Sequence, residues 1–279
     1  MAFEKAGIAK RAVRADSTLK WFSYNDGNIL GGALVGAGMS LTGACPGTVF
    51  VQVGHGVSSS VPTILGALSG GLVFARYGKP TIARKCPREY NNQAGPHTIA
   101  SKFGINATTS FLVFEFLVVS AVALSSMLLP GRSSADLPTV VGGMLIGVAQ
   151  AVSVTLTGST LGVSAAYEHV GAYVNSLLDR KTAQSRSVLS SRATSFALGI
   201  MSSSFLLAMT IGSSVAQKKL SPSLSRAFVG GFMLSYGARV AGGCTSGHGL
   251  SGLSMFSYSS LVTVISMFGT GMIVARLIG

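Results

Sequence analysis

Long stretches almost free of charge dominate this chain and leave it one broad class of fold. Apolar runs lie at about 29–53, 57–75, 104–129, 137–167, 193–216, 227–238 and 240–275. Most match or exceed the roughly 20 apolar residues that cross a bilayer as a helix. They lack the alternating pattern of a membrane barrel, so strands are not expected. The class that remains is an all-α, polytopic integral membrane protein.

Composition agrees. Only 10% of residues are charged and 48% are hydrophobic, against about 25% charged in soluble domains. Mean hydropathy is +0.54. The 21 Lys and Arg outnumber the 8 Asp and Glu, a balance that in a soluble protein suggests nucleic acid. Here the basic residues form short clusters between apolar runs, as membrane-flanking loops do. The expected partners are therefore the lipid bilayer and a small anion, with no nucleic acid; nothing in the sequence addresses protein partners.

Residues 76–102 carry Arg76, Lys79, Arg84, Lys85, Arg88 and Lys102 against Glu89 alone. Residues 179–192 carry Arg180, Lys181, Arg186 and Arg192 against Asp179. The positive-inside rule places both loops and the N-terminus in the cytoplasm. The basic loop at 217–226 does not alternate with them. Residues 1–28 read as a basic tail or interfacial segment anchored by Trp21 and Phe22, with a mitochondrial-type presequence as the alternative. Residues 29–279 read as one membrane domain. A plasma or inner membrane is the expected location, an organellar membrane the alternative.

Within that domain the chain repeats itself. GGALVGAGMSLTGACPGT at 31–48 aligns without a gap on GGFMLSYGARVAGGCTSGH from Gly230. Gly31 meets Gly230, Gly38 meets Gly237, Gly43 meets Gly242 and Cys45 meets Cys244. A third copy starts at Gly142, keeps Gly147 and Gly158, and has Leu156 in the cysteine's place. The repeats span about 31–54, 142–167 and 230–256.

Each copy is an apolar helix of about 12 residues, or about 18 Å, that meets a small-residue knot. Pro46 and the flanking glycines favour a break there. A short second helix can follow, so that broken half-helices meet inside the membrane. Discontinuous helices at matching positions of internal repeats point to a transporter's binding site. A half-helix N-terminus offers free N–H groups to an anion.

Three cysteines form no disulfide framework and no zinc spacing, and no cofactor is implied. Cys45 and Cys244 sit at the two breaks, whereas Cys86 lies in the basic stretch ARKCPREY. A thiol can offer a weak S–H hydrogen bond to a polarizable anion sulfur, or attack as a thiolate; transport needs only the reversible contact. The substrate path is expected to include Cys45, Cys244, Gly43, Thr48, Gly243, Thr245, Ser246 and His248, which follows Cys244 by four residues. His55, His97 and His169 are weaker candidates. Arg239 and Glu115 lie deep in apolar runs, where ionisable groups are costly. Arg239 can supply positive potential, while Glu115 can pair with an arginine or carry a proton; a packing ion pair is the plain alternative for both.

GACPGT at 43–48 and GGCTSGHGLSG at 242–252 resemble the signatures of the YeeE/YedE sulfur-transport family. The resemblance spans roughly 29–275. It implies a compact helical fold with short helices entering from both faces. It also implies thiosulfate uptake, with the anion handed along intramembrane cysteines that Cys45 and Cys244 match. A third relay cysteine is expected in bacterial members, and Cys86 lies outside either signature. Two other classes use the same residues differently: a membrane thiol oxidoreductase or sulfur-transfer enzyme, for which no CxxC motif or soluble catalytic domain is present, and a scaffold that transports nothing.

Overall fold

In a computed structural model the protein is described over residues 16–22, 24–85, 139–157, 162–178, 191–211 and 222–278, with isolated positions between 98 and 124. Cys86, His97 and most of the basic loops at 86–97 and 179–190 lie outside the described residues.

The described chain is helical, and its only β pairing is one isolated bridge between Thr98 and Ser257. The helices are α1 (Asp26–Thr42), α2 (Thr48–Gly54), α3 (Ser60–Val73), α4 (Lys79–Lys85), α5 (Thr139–Thr157), α6 (Ala165–Leu178), α7 (Arg192–Ile211), α8 (Leu224–Val240) and α9 (Tyr258–Ile278). A π-helical turn, Phe74–Gly78, joins α3 to α4, and another, Ser246–Gly252, follows α8.

The outside is greasier than the inside. Leu206, Met272 and Leu277 are 63%, 69% and 79% exposed. Buried positions include Asp26, Asn28, Ser235, Ser260 and Thr263. That inversion of a soluble protein's surface suits lipid as the solvent. Arg192–Thr210 and Tyr258–Ile278 are long and apolar enough to cross a bilayer, by length and composition. Trp21, 66% exposed, precedes α1 in a segment fit for the interface.

Five helices pack in the order α9–α1–α8–α3–α6, and α7 packs on α2. The seam between α1 and α8 is backbone against backbone. A Cβ on Gly31 would collide with Gly237 and Ala241, and one on Gly38 with Gly230. Small residues of this kind let membrane helices approach closely, where no hydrophobic force drives helix to helix.

These contacts reveal the symmetry of the repeats. In sequence Gly31 is equivalent to Gly230 and Gly38 to Gly237. In space the partners are exchanged, Gly31 with Gly237 and Gly38 with Gly230. The exchange arises when antiparallel helices are related by a two-fold axis through their crossing. The same axis carries the α1–α9 contact onto the α8–α3 contact. Accordingly, Gly32 lies against Thr263 as Gly231 lies against Thr63. The units α1–α2–α3 and α8–π turn–α9 are therefore inverted repeats, an arrangement typical of transporters.

Two expectations are modified. α1 and α8 each run 17 residues, about 25 Å rather than 18 Å, because each begins several residues before its double glycine. Asp26 supports the early start of α1 by accepting the N–H groups of Leu19, Trp21 and Gly27. The third copy forms an unbroken 19-residue helix, α5. No described atom lies within 4 Å of a Cβ built on Gly142, Gly143 or Gly147, and Leu156 is 80% exposed.

The seam yields a paired prediction. Gly31→Val forces the α1–α8 backbones apart and should cost about 3 kcal/mol, whereas Gly147→Val should be tolerated. Thermal melting of the two purified variants checks this, and equal melting temperatures would contradict the seam.

Candidate functional site

Both cysteines stand at the start of a short helical segment, immediately after a glycine-terminated long helix. Gly43 and Gly242 have φ of 66° and 79°, the left-handed region that ends helices and favours glycine. Two residues later each chain reaches its thiol.

The two sulfurs cap the segments that follow. Thr48 N–H donates to Cys45 Sγ at 3.4 Å, and Gly247 N–H donates to Cys244 Sγ. Both donors lie three residues beyond their cysteine, the spacing of an N-cap bond. Cys45 N–H donates to Thr48 Oγ1 at 2.6 Å, and that hydroxyl donates back to Cys45 O at 3.0 Å. Ser246 Oγ lies 3.1 Å from Cys244 Sγ.

A third segment closes the site. Ser164, just before α6, hydrogen-bonds Cys244 Sγ through both its backbone and its side chain. Tyr167, on the first turn of α6, is fully buried. Its hydroxyl donates to Pro46 O at 2.7 Å, and its ring stacks on Phe50 with centroids 5.0 Å apart. Cys244 and Ala44 belong to one buried cluster with Val35, Leu234 and Met267. Thr245 Oγ1 reaches Met39 Sδ and Met267 Sδ at 3.6 and 3.3 Å, so the second loop turns back toward α1.

The loops differ in how they are held. The end of α8 is tied by distant partners: Ser17 Oγ donates to Val240 O at 2.5 Å, and Asn28 Nδ2 donates to Ala241 O at 3.2 Å. His248 adds a third tie and is fully buried. Its Nε2 lies 3.0 Å from Ala241 O and its Nδ1 2.9 Å from Ser260 Oγ. A neutral ring that donates from Nε2 and accepts at Nδ1 satisfies both contacts. His248 therefore braces the second loop from behind. Cys244 is buried and Cys45 only half-buried. Gly43 and Thr48 are exposed, and Gly243 is buried.

Arg239 points elsewhere. Its guanidinium pairs with Glu168, and Lys79 Nζ reaches the other oxygen of that carboxylate at 2.9 Å. The residue that neutralises Arg239 is thus Glu168; Glu115 is exposed on its own segment. His55 lies beside Ser204, with Nδ1 to Oγ at 3.3 Å, and His169 follows Glu168 on α6. The sequence reading missed Ser164, Tyr167 and Glu168. The repeat gave no pointer to them: aligned from Gly142 the cysteine's place is Leu156, and all three residues lie beyond it.

Among the described residues no group of three or more His, Cys, Asp or Glu side chains is placed to hold a metal ion. Chemically, each capped sulfur accepts an N–H bond and can turn its S–H to a ligand, Cys244 by exchanging its contact with Ser246. Two such thiols beside one buried tyrosine can make successive weak hydrogen bonds to a soft anion.

If Tyr167 holds the first loop, Tyr167→Phe should cost about 1–2 kcal/mol through the lost bond to Pro46 O. His248→Ala, which strands two buried partners, should cost more, about 3 kcal/mol. Melting of the purified variants checks the order; a His248→Ala protein as stable as wild type would contradict the bracing role.

The match to known proteins covers this whole arrangement. The sequence pattern of the family described as sulphur transport matches residues 2–273. The thiosulfate transporter TsuA of Spirochaeta thermophila is 26% identical over 252 residues, which are 86% of this chain and 73% of that protein. With both cysteine loops and the inverted repeats inside the matched region, the chain belongs to the sulphur transport family, the YeeE/YedE membrane proteins.

Proposed function

We propose that the protein is a multi-pass permease for a small sulfur-containing anion, thiosulfate, and that Cys45 and Cys244 lie on one path through it. The observation that carries this reading is the matched capping of two thiols at equivalent breaks of inverted repeats. A packing cysteine has no need of a left-handed glycine two residues before it and an N–H bond three residues after it. Family membership and the thiosulfate transporter relative support the substrate class.

The physical case is one of balance. A permeating anion must be bound well enough to enter and weakly enough to leave. Thiol S–H groups are weak donors matched to a polarizable sulfur. Two of them in series allow transfer without a covalent product, so the activity is translocation and not catalysis. Thr48 and Ser246, each hydrogen-bonded to its cysteine or that cysteine's sulfur, fix the orientation of the thiols. The membrane proposed is a plasma or inner membrane.

Uptake of radiolabelled thiosulfate by sulfur-starved cells tests the reading. Cys45→Ala and Cys244→Ala should each reduce uptake by about tenfold or more at normal membrane abundance, because alanine fits a glycine-rich break without a large packing loss. Cys→Ser at either site keeps a donor and removes the sulfur; failure of the serine variants as well would assign the effect to soft sulfur contact. Full uptake by the Cys45→Ala/Cys244→Ala protein would contradict the proposal.

A further inference from the structure

Glu168 joins two cations that come from different elements. Arg239 lies in the last turn of α8, five residues before Cys244, and Lys79 opens α4. Glu168 itself follows Tyr167, the residue that touches the first thiol loop. Side-chain exposure falls from 50% at Lys79 to 18% at Arg239 and 8% at Glu168. The cluster therefore runs from the solvent-accessible surface to the layer occupied by Tyr167.

Its charges do not cancel. Among the described residues one carboxylate faces two cations, so a net charge of +1 remains. Arg239 Nε is also buried with no hydrogen-bond partner among the described residues. The cluster thus has spare positive charge and a spare donor, both of which suit another anion. Without Glu168, the largely buried Arg239 and the half-exposed Lys79 would both be free to hold a dianion more tightly, and a transporter that cannot release its cargo does not turn over.

Resting on the anion-permease reading above, we propose that the Lys79–Glu168–Arg239 cluster is an anion-binding station apart from the thiols and that Glu168 is its internal competitor: by occupying Arg239 and Lys79 it sets how strongly the cluster retains a divalent anion. Removing its charge strengthens retention and slows release. Removing Lys79 has the opposite effect, because Glu168 is then left to Arg239 alone and the cluster becomes neutral.

The test uses the purified full chain in detergent and follows thermal stabilisation by thiosulfate, sulfate and chloride, since a ligand bound only by the folded state raises stability with its concentration. Glu168→Gln should lower the half-saturating concentration of the preferred divalent anion by about tenfold, and Lys79→Gln should raise it by about threefold. In uptake, Glu168→Gln should lower both KM and the maximal rate. A purely structural salt bridge would change the melting temperature without anion and would not move the two half-saturating concentrations in opposite senses. Unchanged values in both variants, or a raised value in Glu168→Gln, overturn the proposal. Should Glu168→Gln fail to accumulate, Lys79→Gln decides: a raised value supports the proposal, and an unchanged or lowered one overturns it. The substrate reading is scored separately. A wild-type protein stabilised more by sulfate or chloride than by thiosulfate contradicts that reading while the order of the variants still measures the charge effect. Stabilisation by none of the three contradicts both.

Discussion

Backbone contact between α1 and α8 is the constraint from which the rest of the architecture follows. In lipid, helices gain nothing from hiding leucine from water, so close approach and dispersion must hold them together. Gly31, Gly38, Gly230 and Gly237 provide that approach. Because the contacts are exchanged between equivalent positions, the seam also sets the two-fold relation of the repeats. The crossing centre falls near Val35 and Leu234, both fully buried, in the same cluster as Cys244 and Ala44.

The helix breaks convert this symmetry into chemistry. Each long helix stops at a left-handed glycine, and the chain must then find partners for the N–H groups of the short segment that follows. The cysteine sulfurs supply part of that need. The scaffold is symmetric while the surroundings of the thiols are not. Cys45 sits in a loop secured by its own Thr48 and by one bond from Tyr167. Cys244 sits in a loop secured by Ser17, Asn28 and His248 and covered by Ser164. Two chemically identical groups thereby occupy one accessible and one enclosed environment.

Much of this was legible from residue order. The gap-free alignment of Gly31 with Gly230 and of Cys45 with Cys244 located both breaks, because glycine requirements are local and leave a fixed spacing. What sequence did not carry was the partner of each feature. Arg239 was visible as a buried charge, but its pairing with Glu168 crosses from α8 to α6 and has no sequence signature. His248 shares a helical spacing with Cys244, and its backbone N–H donates to Cys244 O at 2.8 Å, yet its ring turns toward Ala241 and Ser260. The third copy kept its glycines without the cysteine loop, and its helix runs on unbroken to Thr157. Repeat detection by glycine spacing found the copy but carried no pointer to Ser164, which lies past the cysteine's place at Leu156.

The central claim is that both thiols face one anion path, and protection from a membrane-permeant thiol reagent tests it most directly. Labelling of Cys45 and Cys244 in the purified protein, read by mass spectrometry across a thiosulfate titration, should fall at both sites with a single half-protecting concentration, while sulfate at the same ionic strength protects much less. Protection of only one cysteine, or of neither, in a protein that still takes up thiosulfate would contradict a shared path.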